Sequence, residues 1–333
     1  MPMTRPLTRP ATRGIRPLLR GAAVAAALTA AAPLAAHAAV PGGPAAHTAA
    51  PADIRLPGTS ATVREDTADP ARVTAYSLKG AVYLRRGGAF VKRPGDAEIT
   101  VAPKGARALA VPASYDAGHD SVVLLDVATG RGTRIRTVRK PLVANSARWS
   151  RTADKAVLTV RRKAGTRWET TGFVIVDATA RTARQVSPQG LDGSAVFHWS
   201  PDGTEVVAGY RGGTRFYGLD GSIRRTLAGT GVPIGGEDAF SPSGRRLATW
   251  CPAARTEHVC VWERATGRPA ARLAVRPESM WGWWDERRLV AVLASGGAHR
   301  AVLVDLKGTP VRTLAAFSAA DWEKKIYLSY TRK

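Results

Sequence analysis

The sequence predicts an all-β protein built as a six-bladed β-propeller, and three observations support this fold class. A short turn motif recurs along the chain at the spacing of propeller blades. Each copy is followed by short apolar strands, and each chain end lacks strands that the other end supplies. The 333 residues are enough for one closed all-β domain after an export segment is set aside.

The first element is a predicted export signal over residues 1–38. Five arginines precede an apolar stretch at 21–36, and no acidic residue occurs before Asp53. Ala36-His37-Ala38 has the small-x-small form of a signal peptidase site, and the apolar stretch is too short for a membrane span. Residues 39–72, rich in Ala, Pro and Gly, are predicted to be a disordered leader. We therefore expect a secreted protein without a membrane span after signal removal.

The recurring motif, which we call the anchor, is an apolar residue followed by a tight turn. Its clearest copies are Trp-Ser-Pro-Asp-Gly at 199–203 and Phe-Ser-Pro-Ser-Gly at 240–244. Pro presets the backbone for such a turn, and the Gly supplies the positive φ that the turn requires. The six anchors lie 36 to 50 residues apart, which is the period of a propeller blade. The four degenerate copies are at 101–105, 149–154, 283–286 and 319–322.

The closure of the ring is predicted from the two chain ends. The last anchor leads into a strand at 325–330 with no further strand after it, whereas Ala81–Arg86 is an apolar strand with no anchor before it. Pairing of these N- and C-terminal strands completes the sixth blade and removes two open sheet edges. The propeller is thus predicted to span residues 73–333, with 73–78 as a candidate outer strand.

Two cysteines, Cys251 and Cys260, occur in the chain. In an exported protein, two cysteines so close in sequence are predicted to form a disulfide. A metal site would need further ligands at a suitable spacing, and only His258 is near. The sequence therefore predicts a disulfide, and neither a metal site nor a cofactor.

The anchors at 199–203 and 240–244, with the strands that follow them, resemble the TolB-like and WD40-like propeller repeats of bacterial periplasmic and secreted proteins. The Gly-His and Trp-Asp pairs of eukaryotic WD40 arrays do not occur at these repeats. The resemblance implies a non-enzymatic propeller that binds a protein or peptide in its central funnel or on one face.

The net charge of +23 raises the question of an anionic partner. The basic residues are scattered along the chain and arginine outnumbers lysine, as expected of a GC-rich genome. An exported protein also seldom meets nucleic acid. We therefore predict no nucleic-acid partner, and leave open an attraction to anionic cell-wall polymers.

The eight residues before each anchor are expected to approach the central funnel. Six such windows, 94–101, 142–149, 192–199, 233–240, 275–282 and 311–318, contain six acids and three bases, which inverts the sign of the whole chain. An acidic or neutral funnel suits a cationic peptide or a metal ion, although scatter in small numbers explains the same count. His198 directly precedes an anchor and is expected to face the funnel or to be a buried inner-strand histidine. The candidate binding residues are Asp96, Glu98, Asp192, His198, Glu237, Asp238 and Glu278.

No catalytic residues are predicted. The chain contains no Gly-x-Ser-x-Gly elbow, and His119, His198, His258 and His299 share no metal-ligand spacing. The predicted function is a protein-, peptide- or ligand-binding scaffold at the cell envelope, secreted or wall-associated, whose partner is not identified by the sequence.

Two alternatives remain open. One is a propeller-based enzyme, such as a calcium-dependent lactonase or a polysaccharide lyase, and the first of these needs several funnel acids around one ion. The other is a carbohydrate-binding protein that uses the aromatic cluster Trp281, Trp283 and Trp284. The recurrence of tryptophans at or near anchors favours packing between blades instead; these are Trp149, Trp199 and Trp322.

Overall fold

The computed structural model describes residues 52–252 and 257–333. Their strands form six antiparallel sheets, five of four strands and one of six, arranged as the blades of a β-propeller. The predicted fold class is therefore confirmed. The predicted signal peptide, residues 1–38, and the leader residues 39–51 lie outside the described part. Within the described ranges, no helix is long and apolar enough to span a membrane.

Blades 2 to 5 are each a meander of four strands taken from one stretch of chain, running from the axis outward. The N-terminal strands that precede them are β1 (Ala52–Arg55), β2 (Thr62–Glu65), β3 (Ala71–Leu78), β4 (Ala81–Arg86) and β5 (Ala89–Arg93). Blade 2 contains β6 (Asp96–Val101), β7 (Arg107–Pro112), β8 (His119–Asp126) and β9 (Gly132–Arg139). Blade 3 contains β10 (Val143–Trp149), β11 (Lys155–Ala164), β12 (Arg167–Asp177) and β13 (Thr182–Val186).

The remaining blades continue this order. Blade 4 contains β14 (His198–Trp199), β15 (Glu205–Tyr210), β16 (Gly213–Gly218) and β17 (Ile223–Leu227). Blade 5 contains β18 (Val232–Pro233), β19 (Arg246–Trp250), β20 (Val259–Glu263) and β21 (Pro269–Arg272). Blade 6 begins with β22 (Ser279–Trp283), β23 (Arg288–Ser295), β24 (Ala298–Asp305) and β25 (Pro310–Ser318), and the chain ends with α1 (Ala319–Glu323) and β26 (Tyr327–Arg332).

Blade 1 closes the ring with strands from both chain ends. Its order is β26, β3, β4 and β5, so the C-terminal strand is innermost and the other three come from the N-terminal side. The predicted closure by pairing of N- and C-terminal strands is therefore confirmed. The prediction that the last strand pairs directly with Ala81–Arg86 is wrong, because β3 lies between these two strands. Six of the eight β3 residues are buried, which fits an inner place rather than the outer one predicted for 73–78.

The anchors form the turns between the first and second strands of blades 2 to 6. Gly203 and Gly244 adopt φ of 70° and 72°, the positive values that the turns require. The anchor predicted at 319–322 is wrong, because this stretch forms α1, which joins β25 to β26. In blade 1 the anchor position lies between the C-terminal strand β26 and the N-terminal strand β3, so no continuous turn occurs there. The two segments are joined there by a hydrogen bond of 3.0 Å from the Lys333 N–H to the Pro70 carbonyl oxygen.

A segment that we call the N-terminal strap, residues 52–66, covers the junction of blades 6 and 1. β2 pairs with β25 and β1 pairs with β2, so the strap extends blade 6 at its outer edge. Leu56, Ala61 and Val63 are at most 1% exposed and join the apolar core shared by the two blades. The prediction that the leader is disordered is therefore wrong for residues 52–72. The few large apolar residues of the strap pack into the core that blades 6 and 1 form.

Cys251 and Cys260 form the predicted disulfide. The bond links the residue that follows β19 to the second residue of β20 in blade 5, across a sequence separation of nine residues. Residues 253–256 of this loop lie outside the described part.

We expect Cys251→Ser with Cys260→Ser to lower the free energy of unfolding by about 2–3 kcal/mol, the chain-entropy value for a loop of this length. Denaturation of the oxidised wild-type protein, the reduced wild-type protein and the double variant measures it. Equal stability of oxidised and reduced wild-type protein would contradict the assigned role of the bond.

Candidate functional site

The inner strands bring alternate side chains to the propeller axis, because successive residues of a strand point to opposite faces. In blades 2 and 3, the axial residues lie one and three positions before the apolar anchor residue. They line a cavity of about 250 Å³, which we call the axial cavity. Its polar lining consists of Ser77, Glu98, Thr100, Ser146, Arg148, Glu237, Tyr327 and Ser329.

The anchor residues themselves pack between blades. The Trp149 indole N–H donates to the Thr100 carbonyl oxygen of the preceding blade at 3.2 Å. Trp199 donates in the same way to the Arg148 carbonyl oxygen at 2.9 Å, and Trp283 to that of Ala239 at 2.9 Å. Each bond satisfies a main-chain oxygen next to the axis. The prediction that the recurring tryptophans pack between blades is confirmed for Trp149 and Trp199.

The other tryptophans also pack within the protein. Trp281, Trp283 and Trp284 are at most 6% exposed, so they offer no open aromatic platform for a sugar. Trp322 lies on α1 and stacks on His299, with ring centroids 4.8 Å apart. Its position therefore differs from that of the anchor tryptophans.

Glu98 connects blade 2 to blade 3. A bulge in β10 gives Ser146 a φ of 56° and directs two successive N–H groups at the Glu98 carboxylate. Its oxygens accept from the Ser146 N–H at 2.7 Å and the Ala147 N–H at 2.8 Å. Burial raises the pKa of Glu98, while Arg148 and these two N–H groups oppose the rise. Glu98 is therefore committed to a contact between blades, although its side chain borders the cavity.

At the anchor end of the axis, two arginines cross between blades. Arg151 of blade 3 contacts Asp238 at 2.8 Å and donates to the carbonyl oxygens of Phe240, Ser241 and Pro242 in blade 5. Arg332 donates to the carbonyl oxygens of Trp283 and Trp284 at 3.2 Å each. Burial raises the pKa of Asp238, and Arg151 opposes this rise. The cavity at this end, about 70 Å³, is thus crossed by arginines that already have partners.

The axial cavity differs, because some of its polar groups lack partners among the described residues. The Arg148 Nε and the Tyr327 hydroxyl are buried there without a hydrogen-bond partner. Burial raises the pKa of Tyr327, so its hydroxyl stays protonated at neutral pH and remains a donor. Glu237 accepts from the Thr100 hydroxyl at 3.1 Å. The residues that line the cavity therefore place two buried donors and one acceptor beside it.

His198 is a buried inner-strand histidine rather than an accessible ligand. It is 4% exposed, and its Nδ1 has no partner in the described part of the chain. Burial, together with the nearby Arg148 charge, lowers the pKa of His198 to about 3. The imidazole is therefore neutral in the folded protein at neutral pH.

The buried His198 makes stability dependent on pH. Between its unfolded pKa near 6.5 and its folded value, the unfolded chain binds a proton that the folded chain does not, so stability falls as pH falls. From pH 7 to pH 5 we expect wild type to lose about 2 kcal/mol more than His198→Gln. Urea denaturation of both proteins at several pH values tests this. Parallel pH profiles would contradict it.

The other predicted site residues lie away from the axial cavity. Asp96 pairs with Arg93 at 3.0 Å. Asp192 accepts from the N–H and hydroxyl of Ser194 within its own loop, which lowers its pKa. Glu278 is exposed. The structure thus brings Glu98, His198, Glu237 and Asp238 to the axis and leaves these three outside.

Several axial residues were absent from the prediction. Arg148 precedes Trp149 as His198 precedes Trp199, so the repeat itself contained the signal for it. Tyr327 was missed because the sixth anchor was misplaced: in blade 1 the anchor position falls at Tyr330. Arg148, Arg151 and Arg332 carry three formal positive charges along the axis. Glu98, Glu237 and Asp238 carry three formal negative charges there.

Among residues 52–252 and 257–333, no three His, Cys, Asp or Glu side chains are grouped as metal ligands. Two of the acids that a calcium-dependent enzyme would need around one ion already have donors: Glu98 accepts from two main-chain N–H groups, and Asp238 accepts from Arg151. Asn145 lines a separate groove on the blade 2–blade 3 side of the cavity.

No family model and no curated protein sequence matches the chain. The solved structures that are similar in fold include two TolB structures. The putative TolB from Agrobacterium tumefaciens is 15% identical, with a TM-score of 0.50, over 79% of this chain and 99% of that one. TolB from Acinetobacter baumannii is 15% identical, with a TM-score of 0.48, over 81% of this chain and 67% of that one. The match to the Agrobacterium structure shows that the chain has a TolB-like propeller fold, as the anchors predicted.

Proposed function

We propose that the protein is a non-enzymatic binding scaffold of the cell envelope, and that it binds its ligand or peptide in the axial cavity. The observation that carries this proposal is a pair of buried donors, the Arg148 Nε and the Tyr327 hydroxyl, which belong to residues lining one cavity and have no partner in the described chain. Buried polar groups in native proteins are nearly always hydrogen-bonded to protein, water or a ligand, so unpartnered ones beside a cavity are groups that a ligand entering the cavity can satisfy.

The cavity at the anchor end is less suited to this role. Its arginines, Arg151 and Arg332, already donate to main-chain oxygens and to Asp238. The Cys251–Cys260 disulfide and the predicted export signal support a location outside the reducing cytoplasm.

A capture experiment from the native envelope and medium, with residues 39–333 as bait, tests the proposal. Tyr327→Phe removes a hydroxyl that has no protein partner, so it keeps the fold while changing the axial cavity. Tyr330→Phe is the matched control, because its hydroxyl also lacks a described partner but lines the anchor-end cavity. We expect wild type and Tyr330→Phe to retain one partner through a high-salt wash, and Tyr327→Phe to lose it. Equal retention by all three proteins would contradict the proposal.

A second candidate function, binding of an anionic envelope polymer, is favoured by the hairpin of β11 and β12. These are the two longest of the described strands, at 10 and 11 residues. Arg162, Lys163 and Arg167 are exposed on it, and Trp168 is 48% exposed. Trp168 also borders a groove of about 290 Å³ with Tyr115 and Asn145. Positive charge beside an open aromatic ring suits an anionic polysaccharide.

Cosedimentation with cell-wall polymer across a salt series tests this candidate. We expect replacement of Arg162, Lys163 and Arg167 by Ser to weaken binding far more than replacement of three exposed arginines elsewhere, at 131, 134 and 136. Equal weakening would assign the binding to net charge alone.

A further inference from the structure

We propose that the axial cavity binds a small zwitterion of the size of an amino acid or short peptide. Its carboxylate would contact Arg148 and Tyr327, and its ammonium group would contact Glu237. This inference rests on the proposed function, because it names the ligand class of the same cavity.

The positive side of the cavity is formed by Arg148. Its Nη1 donates to the Ala147 carbonyl oxygen at 2.9 Å, while its Nε has no partner among the described residues. Tyr327 lines the same cavity, and its buried hydroxyl also has no partner among the described residues. A carboxylate is the natural acceptor for such a pair, since hydrogen bonds from guanidinium to carboxylate are charge-assisted.

The negative side is formed by Glu237. Its carboxylate accepts only from the neutral Thr100 hydroxyl among the described residues. It forms no ion pair within 4.0 Å there, although its charge helps to raise the pKa of Arg148. Glu98, the other acid of the cavity, is already bound by the Ser146 and Ala147 N–H groups. Glu237 is therefore the acid that remains for an ammonium group.

These charges select the ligand class. Arg148 and Glu237 border one cavity but do not pair with each other. A simple anion would meet Glu237 and Glu98, and a simple cation would meet Arg148. A neutral ligand would leave Arg148 and Glu237, which attract each other without a direct ion pair, each without a charged hydrogen-bond partner. A zwitterion satisfies both at once. The volume of about 250 Å³ limits it to a small molecule.

The experiment is calorimetric titration of residues 39–333 with L-alanine, dialanine and trialanine, which vary the distance between the two charges. N-acetylalanine and alanine amide are the matched probes, because each removes one charge and keeps the side chain. We expect at least one zwitterion to bind, and its blocked analogues to bind tenfold or more weakly. We expect Tyr327→Phe and Glu237→Gln each to weaken binding about tenfold, and Tyr330→Phe to leave it unchanged.

The inference is overturned if no zwitterion of the series binds, if the blocked analogues bind equally well, or if Tyr330→Phe weakens binding while Tyr327→Phe does not. Capture of an envelope partner that depends on Tyr327, without any zwitterion binding, would keep the proposed function and reject the ligand class.

Discussion

Removal of the N-terminal strap, residues 52–66, is expected to destabilise the propeller by about 5 kcal/mol or more. Leu56 and Val63 are almost completely buried in the core between blades 6 and 1, and each such side chain contributes about 1.5–3 kcal/mol. Glu65 of the strap pairs with Arg85 of β4 at 2.7 Å, and Ser60 donates to Asp321 of α1. The strap thus holds together the two blades that meet at the closure.

Denaturation of residues 39–333 and of the same chain without 52–66 measures this effect. Because a loss of this size approaches the whole stability of a domain, Leu56→Ala supplies a milder test, with an expected loss of about 2–5 kcal/mol. Asp53→Ala is the matched control on the same segment. Both side chains of its ion pair with Arg64 are exposed. The substitution should therefore change the free energy of unfolding by at most about 0.5 kcal/mol. A strap deletion as stable as the parent chain would contradict this assignment.

The sequence predicted those features of the fold that local chemistry determines. The Pro and Gly residues at 199–203 and 240–244 identify tight turns wherever they occur, and apolar strands follow from alternation alone. The order of strands in blade 1 is different, because pairing of β26 with β3 joins residues 250 to 261 positions apart. Two apolar segments, 73–78 and 81–86, were equally good partners by composition, so burial in the assembled blade had to decide between them.

The ordered structure of the strap was not predicted from the sequence, for a related reason. Its composition is that of a linker, and only Leu56 and Val63 supply large buried side chains with strong apolar character. These two side chains are ordered because they pack into a core formed by residues of other strands. A local sequence pattern does not show this dependence on distant residues, since the same peptide alone has too little apolar surface to fold.

The candidate site was predictable in position but not in role. Counting back from each anchor located Glu98, His198 and Glu237 near the axis, because strand alternation is a local property. It did not reveal that the Ser146 bulge occupies the Glu98 carboxylate, since a bulge depends on how two blades meet. Tyr327 required the true sixth anchor position, which is known only when the ring is closed.

Glu98→Ala is expected to lower the free energy of unfolding by about 2–4 kcal/mol, because it leaves two main-chain N–H groups beside the axis without their acceptor. Glu98→Gln should cost less, since its amide oxygen still accepts one of these bonds while its NH₂ group faces the other donor. Glu278→Ala is the matched control: the sequence placed both residues in the same funnel set, but Glu278 is exposed and should cost at most about 0.5 kcal/mol.

The comparison decides between two roles for Glu98. If it joins blades 2 and 3, stability falls in the order wild type, Gln, Ala, while the affinity of the folded Gln variant for a zwitterion changes little. If it were a ligand-binding acid, the Ala variant would be as stable as wild type, or more so because burial disfavours the ionised carboxyl, and binding alone would be lost. Urea denaturation and calorimetric titration of the same preparations separate these outcomes. The two N–H contacts at 2.7 and 2.8 Å favour the first.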